Sequence, residues 1–169
     1  MISCYDLFMN IARFEKVSKE QFNKDINELL NMTCEYENIV IPYRATKGSA
    51  GYDFTSPVDI TIKPNEMVKI PTGIRCYIEE GYVLHIYPRS SLGFKYQVRL
   101  ANTVGIIDAD YYNALNEGHI IVALVNGGTN EVTIKKGDRI VQGIFYKFYT
   151  AEEEEEVTTV RTGGFGSSN

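Results

Sequence analysis

An all-β fold, a sandwich or barrel preceded by one helix, is what this chain predicts, on three observations. From residue 38 onward the apolar residues follow the two-residue period of strands. Turn residues interrupt that pattern every eight to twelve positions, as in sandwiches and barrels. Only one segment, before residue 32, carries the period of a helix. The length, 169 residues with 44% hydrophobic side chains, suits a single domain with its own core.

The helix comes first. In VSKEQFNKDINELL, Ser18 is placed to cap, Gln21 to complete a capping box, and Val17 and Phe22 to staple the entry. Phe22, Ile26, Leu29 and Leu30 then fall on one apolar stripe. The spacing predicts a helix over 18–31 packed on the main body, as a structural appendage or a functional element. The strands follow: ENIVIPY, VDITIK, EMVKIP, IRCYI, GYVLHIYP, GHIIVALVN, EVTIKK and RIVQGIFYKFY. Val58, Ile60 and Ile62 alternate with Asp59, Thr61 and Lys63, the pattern of a half-buried strand. Pro64-Asn65, Pro71, Glu80-Gly81, Gly127-Gly128 and Lys136-Gly137 mark the turns. Three regions result: an extension over 1–37, a barrel over 38–150, and an acidic linker with a Gly-rich arm over 151–169. In the linker, Glu152 to Glu156 repel one another and favour an extended chain.

A net charge of −5 speaks against general binding to nucleic acid or membrane surfaces. No apolar run is long enough to span a bilayer, and the start lacks the basic region and cleavage site of a signal peptide. Cys4, Cys34 and Cys76 are odd in number and form no close pair, which points to a reducing, cytoplasmic setting without disulfides or a zinc site. CxxC, HExxH, P-loop and GxSxG motifs are missing, and the isolated His85 and His119 read as strand residues.

Five segments carry more chemistry than loops require. ATKGSAGYD (45–53) places two glycines and small residues before Asp53, a tight turn that packing alone also explains. YPRSSLGFK (87–95) offers Arg89, Ser90, Ser91 and backbone N–H groups beside Gly93; that set suits a phosphate, although a plain Ser-rich loop has the same composition. In LANTVGIIDADYYN (100–113), Asp108 and Asp110 leave an apolar run; regular alternation would put both on one face, and turn chemistry is the competing account. KKGDRIVQGIF (135–145) sets Gln142 in a strand, as a functional amide or a satisfied structural one. The last, RTGGFGSSN (161–169), combines three glycines with Arg161, Phe165, Ser167 and Ser168.

Taken in order, these five segments resemble the five motifs of the homotrimeric dUTPases (dUTP diphosphatases), over Arg44 to Ser168. The helix lies ahead of that stretch and looks like an extension of some bacterial or phage-type members. The resemblance implies a distorted jelly-roll β-barrel, a homotrimer with shared active sites, and hydrolysis of dUTP to dUMP and pyrophosphate. It implies Mg²⁺ held mainly by the triphosphate and water, with Asp53 supporting the metal's waters or the interface. Asp108 matches the carboxylate that orients and deprotonates the attacking water. Arg89, Ser90, Ser91 and Gly93 match the phosphate grip of a neighbouring subunit, and Gln142 the strand glutamine beside it. Asn102 matches the asparagine that helps hold uracil, whose edge is read by backbone groups of Gly105, Ile106 and Ile107. Tyr111 matches the tyrosine under the deoxyribose, which leaves no room for a 2′-hydroxyl. In the arm, Phe165 would cover the uracil, while Arg161, Gly166, Ser167 and Ser168 would close on the phosphates, ordering the chain from about residue 158 only with nucleotide. The family pattern is departed from in two places: the turn after Tyr111 is longer, reaching its glycine only at Gly118, and the arm is one spacer residue shorter, with Ser168 in place of threonine and Asn169 in place of the final glycine. The rival activities are deamination of dCTP on the same fold, alone or with dUTP hydrolysis, and nucleotide sensing without catalysis.

Overall fold

The computed structural model describes residues 10–152. Cys4, most of the acidic linker, and the arm residues Arg161, Phe165, Gly166, Ser167 and Ser168 lie outside the described residues, as does the expected ordering of the arm.

Eleven strands and two helices make up the described chain. The strands are β1 (Ala12–Lys16), β2 (Tyr52–Thr55), β3 (Ile60–Ile62), β4 (Met67–Pro71), β5 (Ile74–Ile78), β6 (Tyr82–Pro88), β7 (Val98–Leu100), β8 (Gly105–Ile107), β9 (Ile121–Asn126), β10 (Val132–Ile134) and β11 (Arg139–Lys147). The helices are α1 (Lys19–Leu30) and α2 (Ser90–Tyr96). The all-β expectation holds, and every strand pairing is antiparallel. A four-stranded sheet runs β2-β11-β6-β8 and a three-stranded one β4-β9-β7; β1 pairs with β5, and β3 with β10. Along β9 every second residue is buried, the signature of a sheet with one face on the core. That core gathers Phe54, Ile62, Ile70, Leu84 and Leu124, all at most 1% exposed.

The turn signals land where their chemistry requires. Gly81 and Gly137 take positive φ (85° and 86°) between strands, a region open to glycine and costly for most other residues. Asn65 does the same at 63°, in keeping with the tolerance of asparagine for that region.

Helix α1 starts and ends as its sequence suggests. Ser18 Oγ accepts a hydrogen bond from the Gln21 amide (3.1 Å), and Asn31 closes the helix in the left-handed region. Val17 and Phe22 are both buried, as a staple requires. The second arm of the box differs from expectation. Glu117, not Gln21, accepts from the Ser18 backbone N–H (2.7 Å), and Gln21 Nε2 donates instead to Asp25 (2.8 Å). A carboxylate at a helix start is favoured by both hydrogen bonding and the helix dipole, so Glu117 displaces the weaker amide.

Four local expectations are corrected. ENIVIPY is not a strand: it holds a single 3₁₀ turn over Tyr36–Asn38 and one bridge, Tyr43 to Asp53, because Pro42 cannot donate to a ladder. The segment YPRSSLGFK is not a loop but contains α2, opened by Arg89 in extended conformation. Beyond β8 the chain turns into a 3₁₀ helix over Ala109–Asn113, so strand alternation does not place Asp108 and Asp110. His119 lies outside any strand, fully buried at the end of the long turn. The residues before 38 also add a strand, β1, which pairs along all of β5, while Val17, Phe22 and Ile26 join the common core.

Candidate functional site

The expected site residues fall into two neighbourhoods on one sheet. The first surrounds β8. This strand ends the sheet, pairing with β6 through Ile86–Gly105 and Leu84–Ile107, so its other edge keeps backbone donors and acceptors without a strand partner among the described residues. Gly105 is needed for that pairing: a Cβ there would stand 3.1 Å from Ile86 Cβ. Asn102 and Thr103 form the turn before it, with Thr103 at φ 66°, an uncommon conformation for a β-branched residue. A cavity of about 360 Å³ opens here, lined by Asn102, Gly105, Ile107 and Leu100 together with Ile121 and Val122 of β9. Its walls are mainly apolar, with backbone edges as the polar guide, the usual build of a small-molecule pocket. Ile106, the third hairpin residue, points out and is 48% exposed.

Asp108 follows β8 directly, exposed, as the cap of the 3₁₀ turn; its carbonyl accepts from the Tyr111 amide at 3.2 Å. Tyr111 is built into the core at 2% exposure. Its hydroxyl donates to the His119 carbonyl (2.8 Å) and accepts from Asn116 Nδ2 (2.8 Å). The long turn returns by way of Gly118, at φ 68°, where a Cβ would meet the Tyr111 carbonyl oxygen at 2.7 Å. The extra residues therefore loop outward, while Gly118 closes against the Tyr111 backbone.

The second neighbourhood joins β2, β11 and the start of α2. Asp53 is buried and pairs with two arginines, Arg89 (3.4 Å) and Arg139 (3.1 Å). It thereby orients both forks while leaving the pair of cations with a net positive charge. Ser90 and Ser91 occupy the first turn of α2, where amides lack helical partners; Gly93 donates its N–H to the Arg89 carbonyl at 3.2 Å. Gln142 lies opposite Asp53 on one side and Tyr87 on the other. The glycine run explains itself here: a Cβ on Gly51 would sit 2.6 Å from Gln142 Oε1. A groove of about 350 Å³ is lined by Arg89, Ser91, Lys95, Tyr96, Arg139 and Gly137.

The two neighbourhoods share no lining residue. Asp53 and Gly105 stand on opposite outer strands of the four-stranded sheet, about 14 Å apart at three inter-strand spacings. So the structure gathers Arg89, Ser91, Gln142 and Asp53 in one place, and Asn102, Gly105, Ile107, Asp108 and Tyr111 in another.

Arg139 and Lys95 are members that sequence reading passed over. Arg139 and Gln142 are three residues apart, which alternation assigns to opposite faces. A register shift between Arg139 and Val141 reverses the parity, so Ile140 and Val141 are both buried and Arg139 and Gln142 both face out. A bulge of this kind leaves no mark in the apolar pattern beyond two adjacent β-branched residues. Among the described residues no three His, Cys, Asp or Glu side chains come together as a metal cage.

Comparison with known proteins gives a consistent result. The family model described as dUTPase matches residues 37–169. A deoxyuridine 5′-triphosphate nucleotidohydrolase of Lactococcus lactis is 45% identical over 141 residues, covering 81% of this chain and 94% of that protein. The crystal structure of a dUTPase from Streptococcus mutans is 34% identical, with a TM-score of 0.65 over 82% of this chain and 98% of that one. A mutant dUTPase from phage phi11 of S. aureus, in which the coordination of a structural Mg(II) ion is described, shares the fold at 21% identity and a TM-score of 0.65, over 89% and 98% of the two chains.

Proposed function

The chain belongs to the dUTPase family, and from that premise we propose that it hydrolyses dUTP to dUMP and pyrophosphate in sites shared between the subunits of a homotrimer. One observation carries the reading: a backbone edge at β8 with no strand partner among the described residues, beside an apolar pocket, leads directly into Asp108. Fixed backbone partners suit uracil, which donates at N3 and accepts at O4. Cytosine inverts both, and leaving such partners unmatched is worth roughly 10⁴-fold in discrimination. Asn102 lines this pocket, and Tyr111 braces its wall by accepting from Asn116 Nδ2 while its hydroxyl donates to the His119 carbonyl.

Asp108 then orients a water on the α-phosphorus and takes its proton as the new P–O bond forms. The α–β anhydride bond breaks, and the electron pair leaves with pyrophosphate. An ordinary carboxylate is a weak base, so positioning supplies much of its effect. Negative charge gathers on the phosphate oxygens, and Arg89, Ser90, Ser91, Gly93 and Gln142 supply cationic and hydrogen-bonding partners to hold it. Because these lie away from Asp108 in one protomer, they act on the nucleotide bound in a neighbour. Mg²⁺ fits this arrangement as a companion of the triphosphate: it prefers oxygen and retained water, and Asp53 is held by Arg89 and Arg139. When bound, the ion neutralises phosphate charge. The arm carrying Arg161, Phe165, Gly166, Ser167 and Ser168 closes over this nucleotide. A cytoplasmic setting belongs to the same reading.

The test is pyrophosphate release by the purified protein with Mg²⁺. Rapid release from dUTP, with almost none from dCTP, dTTP or UTP, is expected. Equal hydrolysis of all four, or ammonia release from dCTP, would overturn the reading.

A further inference from the structure

Helix α1 precedes the stretch that matches the family, yet it reaches the base pocket. Leu29 lines the same cavity as Asn102, Gly105 and Ile107. It continues the stripe of Phe22 and Ile26, which are buried at 0% and 1% exposure, but is itself only half-buried. Its exposed apolar surface is divided between this cavity and a second groove with Leu30 and Met32, and on the cavity side an apolar ring edge would cover it.

The helix is not free to drift from this position. Asp25 accepts a hydrogen bond from His119 Nδ1 (2.5 Å), and His119 Nε2 accepts one from the Gly73 amide (2.7 Å). The second bond requires an unprotonated Nε2, so the Nδ1 proton is the one given to Asp25. Ser18 donates through both its amide and its hydroxyl to Glu117 (2.7 Å each). All these ties end on the long turn that also fixes Tyr111. Asn116 of that turn lines the cavity beside Leu29 and donates to the Tyr111 hydroxyl.

We propose that Leu29 is a specificity-determining wall of the pyrimidine pocket, contributed by α1 and held there by the long turn. The inference rests on the dUTP reading above and adds a residue outside the family's motifs. Leu29 limits the space available around the ring, and its removal widens the pocket toward larger pyrimidines such as thymine.

The experiment compares kcat/KM for dUTP and dTTP in the full-length protein and in Leu29→Ala. The dUTP/dTTP ratio is expected to fall about tenfold, the scale on which apolar pockets discriminate by a few carbon atoms. A ratio within about twofold of wild type would overturn the proposal, since that is below any such pocket effect. Leu29→Met, which conserves volume, provides a second readout even where the alanine variant folds poorly. Its introduced ¹³C-methyl signal should shift when a non-hydrolysable dUTP analogue is added; an unmoved signal under saturating analogue would equally overturn the proposal. Wild-type protein that fails to hydrolyse dUTP would instead refute the underlying reading, whereas normal wild-type turnover with an unaltered Leu29→Ala ratio refutes Leu29 alone.

Discussion

The base pocket and the phosphate groove lie on the same four-stranded sheet but are built by opposite means. The pocket is mostly apolar, with the outer edge of β8 and Lys69, Asn102 and Asn116 as its polar groups. The groove is cationic and takes its order from one buried carboxylate, Asp53, gripping two arginines. The pocket has Asp108 at its border; the groove's carboxylates are Asp53, paired with both arginines, and Asp138, which accepts from the Lys135 amide. Each is well formed within the chain, and the two share no lining residue. The difference teaches that one sheet can present an apolar and a cationic surface near its opposite edges; under the proposed reading these serve as complementary halves of different sites.

That contrast can be broken from either side. The largest effect should come from Asp108→Asn, which removes the base and leaves the groove intact. A loss of about 10³-fold in kcat is expected, with KM for dUTP changed little, in line with loss of a general base. Steady-state pyrophosphate assays measure it, and retained turnover would remove Asp108 from the mechanism. A smaller effect should follow Gly51→Ala on the groove side. The added methyl would stand 2.6 Å from Gln142 Oε1, too close for the side chain to keep its position. Displacing Gln142 should cost about tenfold in kcat/KM, as small misplacements of positioning groups do.

The smallest effect concerns acid and touches only the pocket side. Hydrogen bonds from the Ser18 amide and hydroxyl hold the Glu117 carboxyl below its usual range, against the opposing effect of burial. Burial pushes Asp25 up, but hydrogen bonds from His119 and Gln21 outweigh it and bring it below the usual range. A carboxylate depressed in the folded state contributes stability that is full above its unfolded pKa, near 4, and is lost as pH falls through the lower folded value. Thermal melts should therefore show Tm falling below about pH 4, and falling less steeply in Glu117→Gln, because one of the linked carboxyls is gone. An identical slope in the variant would show that the tie to α1 contributes no acid sensitivity.

Much of this was legible in the chain, for reasons that differ by element. Helix α1 could be read because its stripe and cap are local, and the structure moves its bounds by one residue at each end, to Lys19–Leu30. The turns could be read because glycine and asparagine were placed where φ is positive. Strand β1 could not: ARFEK carries three charges in five residues, and only its partner β5 makes it a strand. Helix α2 is seven residues with Gly93 inside it, too short and too weak in propensity to register. Phe14 of β1 packs against Tyr52, Phe54 and Phe145, a cluster assembled from three distant segments. In the site, Asp108, Asn102 and Gly105 were visible as a motif. Arg139 was hidden by a bulge, and Leu29 by its place in a helix that reads as ordinary packing.

The shared site can be tested most directly by mixing subunits. Asp108→Asn and Arg89→Ala proteins, each nearly inactive alone, are unfolded together, refolded together and assayed on dUTP. With sites assembled between chains, the mixture should recover about a quarter of wild-type turnover, the share of sites pairing two intact contributions in a randomly mixed closed ring. A mixture no more active than its two components, with mixed oligomers verified, would contradict the division of the site between protomers.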